Sequence, residues 1–162
     1  MDVITEEARA WAQRDYPSHE FTVTTHDIRR FATAIGASNP IHFDREAAVS
    51  AGFADLVAPT LFTYVVRMHA YTLIDPSLLE EDGSPADDVP PLSTKRAMAG
   101  GVSIEIERRI VAGDVITVDK RLTDMYEKEG RSGPLVFVEF EFRFRNQRGE
   151  PVATERFTRI YR

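Results

Sequence analysis

The sequence predicts an α+β protein in which a curved antiparallel sheet surrounds one central apolar helix. Two observations lead to this prediction. From about Pro59 to Ile74, nearly every side of a helix would be apolar, which is typical of a helix enclosed by other structure. In the last third of the chain, apolar and polar residues alternate in long runs that are separated by turns, which is typical of antiparallel strands with one buried face.

Length and composition indicate one globular domain covering residues 1–162. The chain is 43% hydrophobic, 28% charged and has no cysteine, so disulfides, thiolate catalysis and cysteine-bound metals are excluded. The net charge of −6 argues against nucleic-acid binding. No secretion signal and no apolar run of membrane-spanning length is present, so we expect a cytoplasmic protein. The four histidines are scattered, so we expect no bound metal.

The first half of the chain is predicted to hold short helices and one strand. Residues 1–18 should form an amphipathic N-terminal helix on the outside of the domain. A strand at Glu20–Thr24 should lead into a second amphipathic helix, which Gly36 closes in the left-handed conformation. Asp44 is then placed to cap a short helix from Arg45 to Ala51.

The second half is predicted to be a loop followed by strands. Residues 75–101 hold several prolines and acidic residues, which favours a mobile acidic and proline-rich loop. Strands are predicted at Val102–Glu107, Val115–Leu122, Val136–Arg145 and Val152–Tyr161, with a charged connection at Tyr126–Pro134. In the apolar helix before the loop, Arg67 and His69 are the polar interruptions. We expect both at the helix edge or at a subunit contact, and the alternative is a role in catalysis.

The stretch from Ala34 to Asp44 carries the candidate chemistry. It contains the glycine that stops the second helix, an Asn-Pro turn, and His42 shortly after that turn. Pro40 holds the preceding residue in an extended conformation, so the helix cannot continue and the imidazole lies on a rigid turn. A histidine held in this way can serve as a general acid or base. The alternative is that the stretch only connects two helices.

Three motifs resemble those of a known family. Residues 36–42, Gly-Ala-Ser-Asn-Pro-Ile-His, resemble the Gly-Asp-x-Asn-Pro-x-His signature of MaoC-like dehydratases and R-specific enoyl-CoA hydratases. Residues 127–138, Glu-Lys-Glu-Gly-Arg-Ser-Gly-Pro-Leu-Val-Phe-Val, resemble the N-terminal, fatty-acid-synthase-dehydratase-like branch of that family. Residues 111–114, Val-Ala-Gly-Asp, are similar to the family's turn after its second long strand. The resemblance runs from about Glu20 to the C-terminus and implies the hot-dog fold.

The resemblance also implies a reaction, the reversible addition of water across the double bond of a 2-enoyl thioester. In the family an aspartate and a histidine share the water, and amides at the start of the central helix face the thioester carbonyl. By this resemblance His42 is the catalytic histidine and Asn39 orients the turn. The residues expected to bind substrate are Ala58, Thr60 and Phe62.

The sequence departs from the family pattern at two places. Ala37 stands where the family has its aspartate, and a methyl group cannot accept a proton. Asp44 is the nearest carboxylate in the sequence. Its predicted role is the helix cap, and the alternative is that it replaces the missing acid. Where the hydratases commonly have Ala-His-Gly, this chain has Ala58-Pro59-Thr60, so Pro59 removes one amide donor.

We therefore predict a lyase subunit, the accessory half of an enoyl-thioester hydratase or 3-hydroxyacyl-thioester dehydratase. Its partner would be a second MaoC-like hot-dog subunit that carries the Asp/His pair, joined through the edge of the sheet. The alternatives are a thioesterase-like homodimer using His42 and Asp44, and a non-catalytic acyl-thioester binding protein. Apart from a thioester of coenzyme A or phosphopantetheine, no cofactor is expected. Candidate ligands for its phosphates are Lys95, Arg96, Arg108 and Arg109, for which a solvated surface is the alternative.

Overall fold

The computed structural model describes residues 3–79, 81, 83, 85, 88, 90–93 and 96–162. Lys95, one of the candidate phosphate ligands, lies outside the described residues. So do the first two residues of the helix predicted at 1–18 and several acidic residues of the loop predicted at 75–101, among them Glu80, Asp82 and Asp87.

In the described part of the chain, five antiparallel strands form one sheet in the order β1-β3-β4-β5-β2. The strands are β1 His19–Thr22, β2 Ala97–Ile106, β3 Val115–Gly130, β4 Gly133–Arg145 and β5 Pro151–Tyr161. In β4 the alternation predicted from the sequence puts one set of apolar side chains into the core: Val136, Val138, Phe140, Phe142 and Phe144. The α+β prediction and the antiparallel sheet around one helix are confirmed.

Four α-helices and four 3₁₀ turns complete the described structure. The helices are α1 Glu6–Ala10, α2 Thr25–Ala34, α3 Arg45–Ser50 and α4 Thr63–Thr72. The 3₁₀ turns are Trp11–Gln13, Pro40–His42, Thr60–Phe62 and Pro76–Leu78. The central helix α4 and the turn before it bury Phe62 and Val66 completely against the sheet. Each helix in the described chain is too short or too polar to cross a membrane.

The helix ends follow the local signals in the sequence. Gly36 has a φ of +67° and ends α2, as predicted. The side chain of Asp44 accepts a hydrogen bond from the backbone N–H of Glu46 at 2.9 Å, which confirms the predicted cap of α3. These ends fix the two elements that flank the Asn-Pro turn.

The central helix differs from its prediction in length and in exposure. We predicted a helix from Pro59 to Ile74, whereas α4 proper runs from Thr63 to Thr72 after the short turn that follows Pro59. We also predicted apolar contacts on nearly every side, but Leu61 and Tyr64 are more than half exposed. That prediction was wrong because the sheet of a single chain covers only one face of the helix.

The strands are longer than the sequence indicated. Tyr126–Pro134 is not a connection, because β3 continues to Gly130 and remains paired with β4 up to Gly133. The charged residues there line an exposed hairpin, in which Tyr126 stacks on Phe137 with 5.1 Å between ring centroids. β2 begins at Ala97, so the loop predicted to extend to residue 101 ends earlier.

The N-terminal segment is also shorter as a helix but more deeply packed than predicted. Only Glu6–Ala10 is α-helical, and a 3₁₀ turn follows it. Ile4 and Ala8 are buried in the same core as the sheet, so this segment is part of the core and not only a cover over it. Arg14 is extended, and residues 14–18 reach β1 without a further helix.

Candidate active site

His42 is held by the turn that its own sequence specifies. Asn39 caps the 3₁₀ turn Pro40–His42, since its side-chain oxygen accepts a hydrogen bond from the backbone N–H of Ile41 at 3.2 Å. Proline at the first position of such a turn loses no hydrogen bond, because that N–H would have no partner inside the turn. The Asn-Pro sequence thereby fixes the direction in which the imidazole leaves the backbone.

The imidazole of His42 is buried and bonded to the chain that enters the central helix. Only 6% of His42 is exposed, and its Nδ1 lies 2.6 Å from the carbonyl oxygen of Val57. A carbonyl only accepts, so Nδ1 carries the proton and Nε2 is the basic nitrogen of the neutral ring. The backbone N–H of Val57 donates to the carbonyl of Ile41 at 3.0 Å, which locks the two segments together. Nδ1 of His42 therefore holds the ring in place, while no hydrogen bond to Nε2 is found among the described residues.

A carboxylate partner for His42 is missing in the described residues. Ala37, which the resemblance aligns with the family aspartate, donates its N–H to the carbonyl of Ala32 at 2.9 Å at the end of α2, and its side chain is a methyl group. The carboxylate of Asp44 is engaged as the cap of α3. The structure thus brings His42 and Asn39 together and leaves Asp44 in its structural role.

The start of the central helix offers few donors for a thioester carbonyl. The N–H of Ala58 donates to the carbonyl of Ile110 at 2.8 Å, and Pro59 has no N–H. Among Ala58, Pro59 and Thr60, only Thr60 therefore has a backbone N–H left to donate. The hydroxyl of Thr60 lies 3.4 Å from a guanidinium nitrogen of Arg109. Phe62 lies in the core, edge-on to two other phenylalanine rings. Of the three predicted substrate residues, Thr60 alone is exposed.

Two of the candidate phosphate ligands lie together, near the start of the central helix. Arg108 and Arg109 line a cavity of about 530 Å³, with Arg148 beside them and two acidic residues also in the wall. Arg96 precedes the opposite end of β2 and is therefore remote from this group. Arg148 was not among the candidates predicted from the sequence, where its only signal is its place in the turn between β4 and β5.

Asp44 can be tested as a cap and as an acid with one pair of variants. Asp44→Ala should lower the free energy of unfolding by about 1 kcal/mol, because α3 loses its cap, while Asp44→Asn should change it little, since asparagine caps as well. Urea denaturation measures both values. If Asp44 instead supplies the acid, Asp44→Asn will remove activity although the fold keeps its stability.

The described residues contain no group of three or more histidine, aspartate or glutamate side chains that could hold a metal ion. This grouping would be the signal of a metal site built by the protein itself. That the protein uses neither a metal nor an organic cofactor stays a prediction.

Comparison with known proteins identifies the family. The family model described as FAS1-like, dehydratase domain region, matches residues 10–155. A UPF0336 protein of Leifsonia xyli subsp. xyli is 39% identical over 113 residues, which is 69% of each chain. A probable enoyl-CoA hydratase alpha subunit of Thermomonospora curvata is 30% identical over 136 residues, which is 80% of this chain and 42% of that protein.

A solved structure supports the same fold. A chain of the ChsH1–ChsH2 complex from Mycobacterium tuberculosis is similar with a TM-score of 0.72 and 20% sequence identity, over 94% of this chain and 91% of that chain. At this identity the likeness concerns the fold alone. Because the family model spans nearly the whole sequence, the chain belongs to the FAS1-like dehydratase family, and its hot-dog fold and MaoC-like resemblance are confirmed.

Proposed function

We propose that the chain is the accessory subunit of an enoyl-thioester hydratase or 3-hydroxyacyl-thioester dehydratase. The observation that carries this proposal is Ala37 at the position of the family aspartate, next to a turn that is otherwise intact. Family membership supports the reaction class. Ala37 supports the accessory role, because the turn that positions His42 is present while the acid that would transfer a proton is absent.

The reaction requires more groups than this site offers. Water must be activated by a base, the α-carbon must be protonated by an acid, and the negative charge on the thioester oxygen must be stabilised. Nε2 of His42 can hold a water molecule, and the Thr60 N–H can approach a carbonyl. No second acid is bonded to His42 in the described residues. We therefore assign the proton transfers to the Asp/His pair of a partner subunit.

The exposed apolar surface supports a partner of the same fold. In the described chain β2 pairs with β5 on one side and with no strand on the other. Three large apolar side chains of β2 are exposed, namely Met98, Val102 and Ile106, as are Leu61 and Tyr64 near the start of the central helix. An apolar edge strand attracts another strand or chain. The ChsH1–ChsH2 structure is a complex of two differently named proteins, which also supports a paired arrangement.

Association through β2 can be tested with one charged substitution. Val102→Lys places an ammonium group on the apolar side of the edge strand. This should weaken association at least about tenfold, because the charge must lose its water to enter an interface. Ser103→Lys, also on β2 and exposed, is the matched control and should have little effect. Light scattering of the chain with its partner measures the change. A wild-type chain that remains monomeric alone and with every candidate partner would contradict the proposal.

The function itself is tested by co-expression. The chain is produced with a hot-dog protein that carries Gly-Asp-x-Asn-Pro-x-His, and the hydration of a series of 2-enoyl-CoA esters is followed for the complex, for the partner and for the chain alone. The proposal requires that the complex be active and the lone chain inactive. Strong activity of the lone chain that His42→Ala removes would show a self-sufficient enzyme instead.

A further inference from the structure

A second cavity lies along the side of the central helix, away from the His42 turn. Its volume is about 320 Å³, at the lower end of the range for small-molecule sites. Neither His42 nor Val57 is among its lining residues. Its apolar walls come from four parts of the chain and include Tyr16, Pro17, Ala70, Ile74 and Phe142. The cavity is therefore a separate compartment with room for a small apolar body.

Three donors in or beside this cavity converge on one carboxylate, that of Asp88. The hydroxyl of Tyr71 donates to Oδ2 at 3.0 Å, and Nζ of Lys120 bonds Oδ1. A guanidinium nitrogen of Arg159 lies 3.6 Å from Oδ2. The donors come from α4, β3 and β5, whereas Asp88 belongs to the segment that connects α4 to β2. The three donors thus lie on the central helix and on the sheet, whereas the carboxylate that they contact lies on a connecting segment.

The described side chains at and next to these three donors carry an excess of positive charge. Arg67, which also lines the cavity, pairs with Glu155, with 2.9 Å between Nε and Oε1. Among the described residues, the ion pairs of Asp88 and Glu155 bring together three cations, Arg67, Lys120 and Arg159, and two carboxylates. Within this group of five side chains, one positive charge is in excess with Asp88 in place and two are in excess without it. A buried cation is costly unless an anion accompanies it.

The protonation of the donors fits this role. Burial lowers the pKa of the Lys120 ammonium group, and the carboxylate of Asp88 works in the opposite direction. Burial, together with the negative charge of Asp88, raises the pKa of Tyr71 to about 12, so the phenol keeps its proton and remains a donor at neutral pH. Loss of the carboxylate without a replacement would leave Lys120 desolvated and unpaired.

We propose that Tyr71, Lys120 and Arg159 form a binding site for the carboxylate of a small apolar acid, and that Asp88 fills the site until such a ligand displaces it. The carboxylate would take the three hydrogen-bond donors, and its hydrocarbon body would lie against the apolar walls of the cavity. The same chemistry is offered by a free medium-chain acid and by the far end of an ω-carboxyacyl thioester. This proposal does not depend on the catalytic role, because the His42 turn contributes nothing to the cavity.

The first test measures binding of octanoate to the full chain by calorimetry, with octan-1-ol as the neutral probe of equal length. Asp88→Asn removes the competing charge and should tighten octanoate binding about tenfold, while Lys120→Met should weaken it about tenfold. Neither variant should change octan-1-ol binding. Opposite effects of two substitutions in one ion pair are not expected from a pair that only stabilises the fold.

Three results would contradict the proposal. It fails if Asp88→Asn does not bind octanoate at millimolar concentration, or if octan-1-ol binds as tightly as octanoate. It also fails if Asp88→Asn and Lys120→Met bind octanoate with the same affinity. Should Lys120→Met not fold, Tyr71→Phe provides the second variant, since it removes one donor and keeps the ring. Unfolding curves of each variant confirm that folded protein was titrated.

A second pair of probes separates the two sources of the carboxylate. Octanedioyl-CoA is compared with octanoyl-CoA, which lacks the terminal carboxylate. If the site receives the end of an acyl substrate, octanedioyl-CoA binds more tightly and Lys120→Met removes the difference. If the site receives a free acid, octanoate alone responds to the substitutions. Both results support the proposed site, and neither requires hydratase activity.

Discussion

The isolated chain is expected to hydrate 2-enoyl-CoA esters at least about 10²-fold more slowly than its complex with an Asp/His-bearing partner. A positioned acid or base contributes about 10² to 10⁴ in rate. Ala37 cannot provide one, and Asp44 is engaged as a helix cap. The measurement is the initial rate of loss of the enoyl thioester, at equal concentrations of active sites.

Two variants of His42 show whether this residue takes part in the chemistry of the complex. Asparagine in place of His42 can still donate to the carbonyl of Val57, which His42 Nδ1 now contacts at 2.6 Å, but it is no base. If the chain is an accessory subunit, the complex with His42→Asn should have a kcat within about threefold of the wild-type complex. Loss of a catalytic base would lower kcat much more. His42→Ala should lower the free energy of unfolding by about 1–3 kcal/mol, because the buried carbonyl of Val57 loses its donor.

The opposite pattern would assign His42 to catalysis. If His42→Asn abolishes the activity of a correctly assembled complex, this chain supplies a base and the accessory role is wrong. Replacement of the partner's signature aspartate is the positive control, and it should remove activity whichever role His42 has. Size-exclusion chromatography of every complex ensures that a lost rate is not a lost subunit.

Replacement of Arg67 by methionine should produce the largest loss of stability, about 3–5 kcal/mol. Arg67 and Glu155 have side chains that are 8% and 1% exposed, and they form an ion pair inside the core. Removing one partner leaves the other charge buried and unpaired. The guanidinium of Arg67 also lies over the rings of Phe142 and Phe157, at 5.0 and 4.9 Å from their centroids. Urea denaturation with a constant m-value measures the loss.

A matched control separates burial from charge. Arg145 pairs with Asp119 at 2.6 Å, but their side chains are 47% and 36% exposed. Arg145→Met should therefore cost no more than about 1 kcal/mol. The double variant Arg67→Met with Glu155→Leu should recover much of the lost stability, because no charge then remains unpaired. A cost for Arg67→Met similar to that for Arg145→Met would contradict the buried-pair interpretation.

The same pair predicts a pH dependence of stability. Burial raises the pKa of Glu155 above its ordinary value of 4.5, although Arg67 opposes the shift. The folded state therefore keeps this proton at pH values where the unfolded state has lost it. Below the ordinary pKa of 4.5, Glu155 is protonated in both states and its contribution to the free energy of unfolding is fully present. This contribution should be lost as the pH rises through the raised pKa of the folded state. Glu155→Gln should remove this part of the slope, and a slope unchanged in that variant would contradict it.

The candidate site was predictable where its geometry is local. The cap at Asp44, the turn at Asn39 and the left-handed Gly36 each depend on residues close in sequence, and the structure has all three as predicted. The bond from the Ala58 amide to Ile110 was not predictable, because it joins segments distant in the chain. For the same reason the sequence did not show Arg148 beside Arg108.

The sequence by itself determined the class of fold, because alternation along the strands and the caps of the helices are short-range patterns that a pleated strand or a helix end requires. It also determined the family, through motifs that lie in continuous stretches. Only the tertiary structure decided the environment of the charges. Arg67 was expected at the helix edge or at a subunit contact, yet it is buried within this chain, where it pairs with Glu155 of β5. Lys120 and Asp88 likewise form an ion pair although they are 32 positions apart in the sequence. Whether a charged side chain is solvated or buried depends on which distant strand faces it, so the residues next to it in the sequence do not predict its burial.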